Sequence, residues 1–437
     1  MSIVLNEGQK AAIESIKEFM CSPDEQFMSL EGPPGTGKTT VIKYVVQALA
    51  EQYKTRKLLG IIERQRNIVF CATTNKACEA LEQALQGTQR AFPVKTIHSH
   101  LNLIMQQDAN FKDVLYDSNP EGQRVNELIF IDEGSFIDNE EMHYIKKKMH
   151  KSSRVIFMGD PAQLKKANAT NMPAFDSGFR KAELTEIMRQ VGDDNPIKKL
   201  SAQLREAVLE GKGRLPPAII DGKHIRWLPR EDFNKTMLAD MSAPDWTYKT
   251  SKFIAYRNKV VQSYNKTLYN SIQKSAVLIP GDYAINNNFV KGTKQTGSIG
   301  TDRLVLIDQV TPAVELNTKG HWVSLDGQLA RKFFLPDDHA TIDRKINSRV
   351  RKLATLDPMT PEHADVAREI QSIKNLWVDL RPVYACTVYK SQGSTYRRVY
   401  VDLKDLGSCG NRDQMLRMLL VAISRASHQV FLTGDLS

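Results

Sequence analysis

One stretch of eight residues constrains this chain more than anything else in it. An apolar strand signal at 27–30 runs into Gly32-Pro33-Pro34-Gly35-Thr36-Gly37-Lys38-Thr39, and a helical pattern follows over about 39–50. The spacing GxxxxGK[ST] between a strand and a helix lets backbone N–H groups close around phosphate oxygens. The helix N-terminus adds the positive end of its dipole. Gly32, Pro33, Gly35, Thr36, Gly37, Lys38, Thr39 and Thr40 are therefore the expected nucleotide-binding residues. Lys38 is expected to reach the β- and γ-phosphates, and the Thr39 hydroxyl to hold Mg²⁺. The pattern specifies a nucleoside triphosphate and leaves open what its energy is used for.

Two further segments fit around that loop. Leu128-Ile129-Phe130-Ile131-Asp132-Glu133 reads as a buried strand ending in two acids. Asp132 is placed to bind Mg²⁺, and Glu133 to orient and deprotonate the attacking water. In isolation the pair would equally suit an ordinary strand-to-loop turn. Phe157-Met158-Gly159-Asp160-Pro161-Ala162-Gln163 is another apolar strand ending in Gly-Asp, with Gln163 placed to sense a γ-phosphate or its water.

Helical patterns at 7–19, 77–85 and 140–149 alternate with strand patterns at 68–71, 128–131 and 155–158. This alternation predicts a parallel sheet covered on both faces. The pattern breaks over about 102–126, where Ser118-Asn119-Pro120, flanked by Val114-Leu115-Tyr116 and Val125, reads as the turn of a small inserted hairpin. Alternation resumes from Ile197, with helices at 197–209, 259–269 and 414–425 and strands at 253–256, 399–403 and 430–432. Residues 276–380 differ, with short β-like pieces followed by a polar helical stretch at 340–376.

The 437 residues allow about three domains. Lys and Arg outnumber Asp and Glu by 60 to 50, giving a net charge of +10 that suits an anionic partner. Cys21, Cys71, Cys78, Cys386 and Cys409 form no CxxC pair, so neither a disulfide framework nor a zinc site is expected, and each reads as a small buried apolar residue. No apolar run approaches the roughly 20 residues that span a bilayer, and no signal peptide is expected. A cytosolic location is expected, with no membrane partner.

These motifs are joined by others whose order resembles that of superfamily 1B DNA helicases of the RecD/Dda branch. Leu5-Asn6-Glu7-Gly8-Gln9 resembles the LNxxQ entry motif, and Cys71-Ala72-Thr73-Thr74-Asn75-Lys76-Ala77 resembles motif Ia. Thr96-Ile97-His98-Ser99 resembles the next strand-contacting motif, and Leu184-Thr185-Glu186-Ile187-Met188-Arg189-Gln190 the LTExxRQ segment. Thr387-Val388-Tyr389-Lys390-Ser391-Gln392-Gly393 resembles motif V, and Val421-Ala422-Ile423-Ser424-Arg425 motif VI. Departures are Thr73, Lys165-Lys166, Tyr389 and Leu420, where the branch commonly has Pro, prolines, His and Tyr.

The resemblance implies two RecA-like P-loop domains with ATP in the cleft between them. The first would span 1–188 with the hairpin at about 102–126, and the second 189–275 with 381–437. An SH3-like β insertion plus helical segment would occupy 276–380. It further implies that Gln9 reads the adenine edge, that Gly393 joins the nucleotide site, and that Arg189 and Arg425 stabilise charge on the γ-phosphate. For either arginine alone, a surface ion pair would be the simpler reading.

Strand contacts are expected from Thr74, Asn75, Thr96, His98, Lys165, Thr387 and Lys390, through sequence-independent phosphate contacts. His98 fits a structural histidine equally well. Lys146-Lys147-Lys148 reads as a solvated helix face rather than a groove, and Arg397-Arg398 and five cations within 344–352 are further basic clusters. Phe111 and Tyr116 are the expected tip of a duplex wedge. The expected function is an ATP-dependent DNA helicase, translocating 5′ to 3′ as a monomer on single-stranded DNA and at single-strand/duplex junctions. Single-strand-binding or replication proteins are candidate partners, and a phage protein acting in the host cytosol is one candidate setting. An RNA-directed or RNP-remodelling ATPase of the same superfamily is the alternative. A catalytically silent nucleic-acid-binding module and a RecD-like nuclease subunit are weaker ones.

Overall fold

The computed structural model describes residues 5–60, 65–86, 92–107, 113–166, 169–186, 195–211, 220–273, 275, 277–292 and 298–436. The chain first forms α1 (Glu7–Cys21), β1 (Phe27–Glu31), α2 (Lys38–Leu58), β2 (Asn67–Ala72), α3 (Asn75–Leu85), β3 (Val94–Thr96) and α4 (Ile97–Leu101). There follow β4 (Leu103–Gln107), β5 (Asp113–Asp117), β6 (Glu127–Asp132), α5 (Asn139–Lys148), β7 (Arg154–Gly159), α6 (Pro173–Asp176), β8 (Arg180–Glu183) and α7 (Pro196–Leu209). The next elements are β9 (Ile225–Trp227), α8 (Arg230–Met241), β10 (Ser251–Ala255), α9 (Asn258–Gln273), β11 (Tyr283–Asn286), β12 (Leu304–Glu315), β13 (Thr318–Leu325) and β14 (Phe333–Pro336). The last are α10 (Ala340–Ala354), α11 (Pro361–Leu376), β15 (Leu380–Pro382), β16 (Ala385–Thr387), α12 (Val388–Ser391), β17 (Tyr396–Asp402), α13 (Leu403–Gly407), α14 (Arg412–Ser424) and β18 (Ala426–Thr433).

Two compact units result. The first comprises 1–219 together with 411–424, and the second 220–410 with 425–437. The first is built on a six-stranded parallel sheet of order β3-β2-β6-β7-β1-β8. Successive strand residues point to opposite faces, and both faces are covered. Leu30, Phe70, Phe130 and Ile156 pack with Ile16, Phe19, Val41 and Val45 from α1 and α2. Val69, Cys71, Ile129, Ile131, Val155 and Phe157 pack on the other face with Ile97, Leu101 and Ile145. Double burial explains why these strands read as unbroken apolar runs. Of the free cysteines, Cys71 and Cys386 are buried, but Cys21, the last residue of α1, is exposed.

The second unit holds a parallel sheet of order β16-β10-β17-β18-β9 and an antiparallel one of order β14-β13-β12-β11-β15. Phe253, Tyr400 and Phe431 of the parallel sheet share one core with Ile307, Val323 and Phe333 of the antiparallel sheet. The paired helices α10 and α11 close on Phe334 and Trp377 through Ile342 and Ile373. Among the described residues, no helix is long and apolar enough to cross a membrane.

The hairpin forms, but not about the expected turn. β5 pairs antiparallel with β4, Tyr116 facing Ile104 and Val114 facing Gln106. Ser118-Asn119-Pro120 lies beyond the hairpin, where Gly122 N–H donates to the Asn119 carbonyl and returns the chain towards β6. The turn signal was real; the partner strand lay on its other side, in Leu103-Ile104-Met105.

Candidate nucleotide site and strand-contact residues

The phosphate loop sits at the C-terminal end of β1, where open α/β sheets bind their ligands. β1 lies beside β7, which lies beside β6. The loop, Gly159-Asp160 and Asp132-Glu133 therefore leave three adjacent strands at the same end. Gly37 ends the loop at φ 87°, in the left-handed region, and a Cβ there would lie 2.4 Å from Gln9 Nε2. Gly32 is equally confined, since its Cβ would meet the Leu184 carbonyl at 2.4 Å.

Asn6 and Gln9 form a capping box that starts α1, each side chain accepting from the other's backbone N–H. Gln9 is buried, and its Nε2 donates to the Thr36 carbonyl at 3.0 Å. One end of its amide thus caps α1, and the other fastens that helix to the loop. Thr36 Oγ1 donates to the Pro33 carbonyl (3.0 Å), closing the loop on itself. Thr39 and Thr40 stand in the first turn of α2.

Lys38 Nζ donates to the carbonyls of Gly32 (2.6 Å) and Pro33 (3.2 Å). Burial pushes its pKa down, and the nearby acids Asp160, Asp132 and Glu133 oppose this. Burial likewise pushes Asp132 up, against the pull of Lys38 and of the Glu133 N–H (2.9 Å to Oδ1). Glu133 occupies the left-handed region at φ 55°, a costly conformation for a non-glycine residue that turns the chain directly after β6. Asp160 is buried, accepts from Ala162 N–H through Oδ1 (3.0 Å), and its carbonyl accepts from Gln163 N–H (3.0 Å).

A divalent cation carried with a nucleotide fits this chemistry. No cluster of three or more His, Cys, Asp or Glu exists among the described residues to hold a metal by itself. A hydroxyl and one carboxylate, Thr39 and Asp132, suit a hard cation that keeps waters and phosphate oxygens as its other ligands.

Two arginines escaped the sequence reading. Arg205 of α7 lies 3.4 Å from Asp160 Oδ1, and its charge also pushes the Lys38 pKa down. Arg417 of α14 donates through Nη1 to the carbonyls of Pro161 (2.6 Å) and Gln163 (2.8 Å), and through Nε to Asp413. It braces the Gln163 loop. Both arginines come from helices remote in sequence, and only a basic residue on an otherwise apolar stripe signals them.

The expected strand-contact residues are more scattered in role. Thr74, Thr96 and Thr387 are N-caps of α3, α4 and α12, each accepting the backbone N–H three residues on. Asn75 opens α3. His98 is ion-paired through Nε2 with Glu141 (2.7 Å), the structural alternative. Lys165 contacts Asp413 (3.3 Å) and the Thr170 carbonyl, and Lys166 pairs with Asp138 and Glu141. In the second unit Lys390 holds Asp302 and Asn287, both at 2.6 Å. Gly393 has φ 74°, and the buried Arg425 donates to the Ser394 carbonyl (3.3 Å).

Arg189 and Phe111 lie outside the described residues. Tyr116 is half exposed but sits one pair above the hairpin root rather than at its tip. Lys148 corrects another expectation: its side chain is fully buried, not solvated, and binds Asp117 (2.7 Å) and the Asn119 carbonyl. The basic run at 344–352 is also committed internally, Arg349 to Glu369 and Lys352 to Glu362 across the α10/α11 pair.

Residues 4–214 match the AAA domain family, and residues 382–433 match the UvrD-like helicase C-terminal domain. The ATP-dependent DNA helicase dda of Enterobacteria phage T4 is 21% identical, with 98% of each chain covered. An uncharacterised protein of Acanthamoeba polyphaga mimivirus is 24% identical, covering 98% of this chain and 99% of its own. In fold, the chain is similar to the Bacteroides Pif1 helicase solved with ADP-AlF3 and single-stranded DNA. That likeness has a TM-score of 0.50 at 15% identity and covers 100% of this chain and 94% of that one.

Proposed function

We propose that this chain is a superfamily 1B helicase of the RecD/Dda type, which couples ATP hydrolysis to 5′-to-3′ movement along single-stranded DNA and to parting of the duplex ahead. The observation that carries the reading is the charge arrangement in the first unit. A partly buried lysine, Lys38, faces Asp132, Glu133 and Asp160 at the ends of adjacent strands, with Gln163 on the loop that follows. In this reading the loop and Lys38 bind the phosphates, and Gln9 positions the loop beneath them. Thr39 and Asp132 hold the divalent cation, which supplies neutralisation of phosphate charge. Glu133 takes the proton of the attacking water, and Gln163 detects the γ-phosphate. Arg189 and Arg425 stabilise the charge that develops there, a role worth about 10³–10⁵ in rate in other phosphoryl-transfer systems.

Closure of the two RecA-like units on ATP, and reopening after hydrolysis, swaps their grip on the strand. Thr74, Asn75, Thr96, Thr387 and Lys390 contact its phosphates. The hairpin parts the duplex: Ile104 and Tyr116 pair across one face and are 47% and 51% exposed. An average base-pair step costs only about 1.4 kcal/mol in stacking to open, so a small apolar wedge suffices.

The test is unwinding of duplexes that carry only a 5′ or only a 3′ tail, alongside ATPase stimulation by single-stranded DNA and RNA. Unwinding from the 5′ tail with stimulation by DNA is expected. Preference for the 3′ tail overturns the direction, and stimulation by RNA alone overturns the substrate.

A further inference from the structure

At the opposite end of the first sheet from the phosphate loop, beside the N-terminal ends of β2, β3 and β6, lies a cavity of about 450 Å³. Its wall carries three cations, Arg66, Lys95 and Arg124, against one carboxylate, Glu127. That carboxylate is already engaged: Glu127 Oε2 lies 2.9 Å from Nε2 of the buried His100. Among the described residues, Arg66 donates through Nε alone, to the Ser152 carbonyl at 3.2 Å. The side chains of Lys95 and Arg124 make no hydrogen bond or ion pair among the described residues, and Arg124 Nε is shut off from solvent with no acceptor.

Three cations around one cavity, facing a single carboxylate that His100 already engages, repel one another, and an anion there relieves that repulsion. Guanidinium forks match phosphate oxygens in pairs, and the space exceeds what a bare phosphate needs. The position says which phosphate. Asn102 lines the cavity and immediately precedes β4, so the cavity opens at the foot of the hairpin. Thr74 and Thr96 lie at the other, C-terminal ends of β2 and β3. A strand running past those threonines does not reach this cavity. A second strand, turned aside at the hairpin, does.

We propose that Arg66, Lys95 and Arg124 form a phosphodiester site for the displaced strand of a fork. The proposal rests on the helicase reading above, and its test separates the two. Binding is measured over a range of salt for a 5′-tailed duplex with and without a 3′ flap, using the full chain and the variants Lys95→Gln, Arg124→Gln and both together. Lys95 is exposed, so Lys95→Gln leaves the fold intact. The flap is expected to tighten binding by the wild type about tenfold. The double variant is expected to lose that margin, with a salt slope lower by about 1–2. Stimulation of the ATPase by single-stranded DNA is expected to stay unchanged. An unaltered margin in the double variant, or no margin in the wild type, overturns the site. Absence of DNA-stimulated ATPase in the wild type instead overturns the helicase reading. Lysine acylation identifies the source of the phosphate. Protection of Lys95 by the fork, but not by millimolar inorganic phosphate, is expected. Protection by phosphate alone assigns the cavity to a small free anion and overturns the strand.

Discussion

The phosphate loop and the hairpin belong to the same unit, yet they are held in opposite ways. The loop is fixed over eight contiguous residues, by two confined glycines, a helix start and its own carbonyls. From elsewhere it is reached by Gln9, by the Leu184 carbonyl and by the Gly159 carbonyl, which accepts from Gly32 N–H at 3.0 Å. The hairpin is fixed from a distance. Lys148, at the end of α5, reaches back 31 residues to Asp117 at the end of β5, and both are buried. Tyr144 of the same helix donates to the Leu115 carbonyl. A motif that binds a ligand through its backbone must be local, because the backbone amides themselves form the site. An apolar lever projecting into solvent needs only a rigid root, and any neighbouring element can provide it.

The contrast is broken most forcefully at that root. Lys148→Met leaves the Asp117 carboxylate buried without its cation, a change that costs about 3–5 kcal/mol. Urea denaturation should show this as a lower midpoint, while Lys148→Met combined with Asp117→Leu recovers most of the loss. If the single variant is as stable as the wild type, the hairpin has another anchor. The effect should also depend on pH. Burial alone would raise the Asp117 pKa, but the hydrogen bonds from Lys148 and the Asn119 N–H outweigh it and hold it below its ordinary value of 3.8. A carboxylate depressed in the folded state stabilises above its unfolded pKa and ceases to do so as pH falls through the folded one. In Lys148→Met burial is no longer offset by the lysine, so the gap between wild type and variant should begin to close as pH falls through the raised Asp117 pKa of the variant and go on closing down to the depressed one of the wild type.

At the loop the expected loss is of function rather than fold. Lys38→Ala should lower ATP hydrolysis by about 10²–10³, the effect of deleting one preorganised charge donor, or about 2.7–4 kcal/mol. Unwinding should fall with it, while the denaturation midpoint stays near wild type. A variant that still unwinds duplexes removes the phosphate role of Lys38.

How far the sequence foretold each region follows from the same contrast. The parallel sheet was legible because doubly buried strands are continuous apolar runs, and the loop because its spacing is set by one ligand group. The hairpin register was not. Ser118-Asn119-Pro120 is a turn wherever it occurs, and only pairing with Leu103-Ile104-Met105 decides which strand it follows. Clusters of positive charge were illegible for a related reason. Lys148, Lys165 and Lys166 are consecutive or nearly so with other basic residues, but their partners Asp117, Asp413, Asp138 and Glu141 are supplied by tertiary structure. Charge read along a chain says nothing about which charges folding has already neutralised. The same blindness hid Arg205 and Arg417, whose acceptors lie on strand-end loops far away in sequence.

The sharpest separation comes from the smallest effect on stability. On one face of the hairpin, Ile104 and Tyr116 pair across the strands and remain about half exposed, while on the other face Leu103 and Leu115 are buried in the unit's core. The buried pair accounts for the hairpin's attachment; the exposed pair contributes nothing to it. Replacing both Ile104 and Tyr116 with serine should therefore move the denaturation midpoint by no more than the equivalent of about 1 kcal/mol, about 0.5 kcal/mol for each. It should also spare ATP hydrolysis stimulated by single strands. If the hairpin parts base pairs, unwinding per ATP should nonetheless fall sharply, because a hydroxyl cannot replace a stacked base as apolar surface does. A variant that unwinds normally would assign the exposed face to some other contact, and would move the wedge away from the described part of this hairpin. Loss of stability of several kcal/mol would mean that the two faces are not independent, and that root and lever form one structure after all.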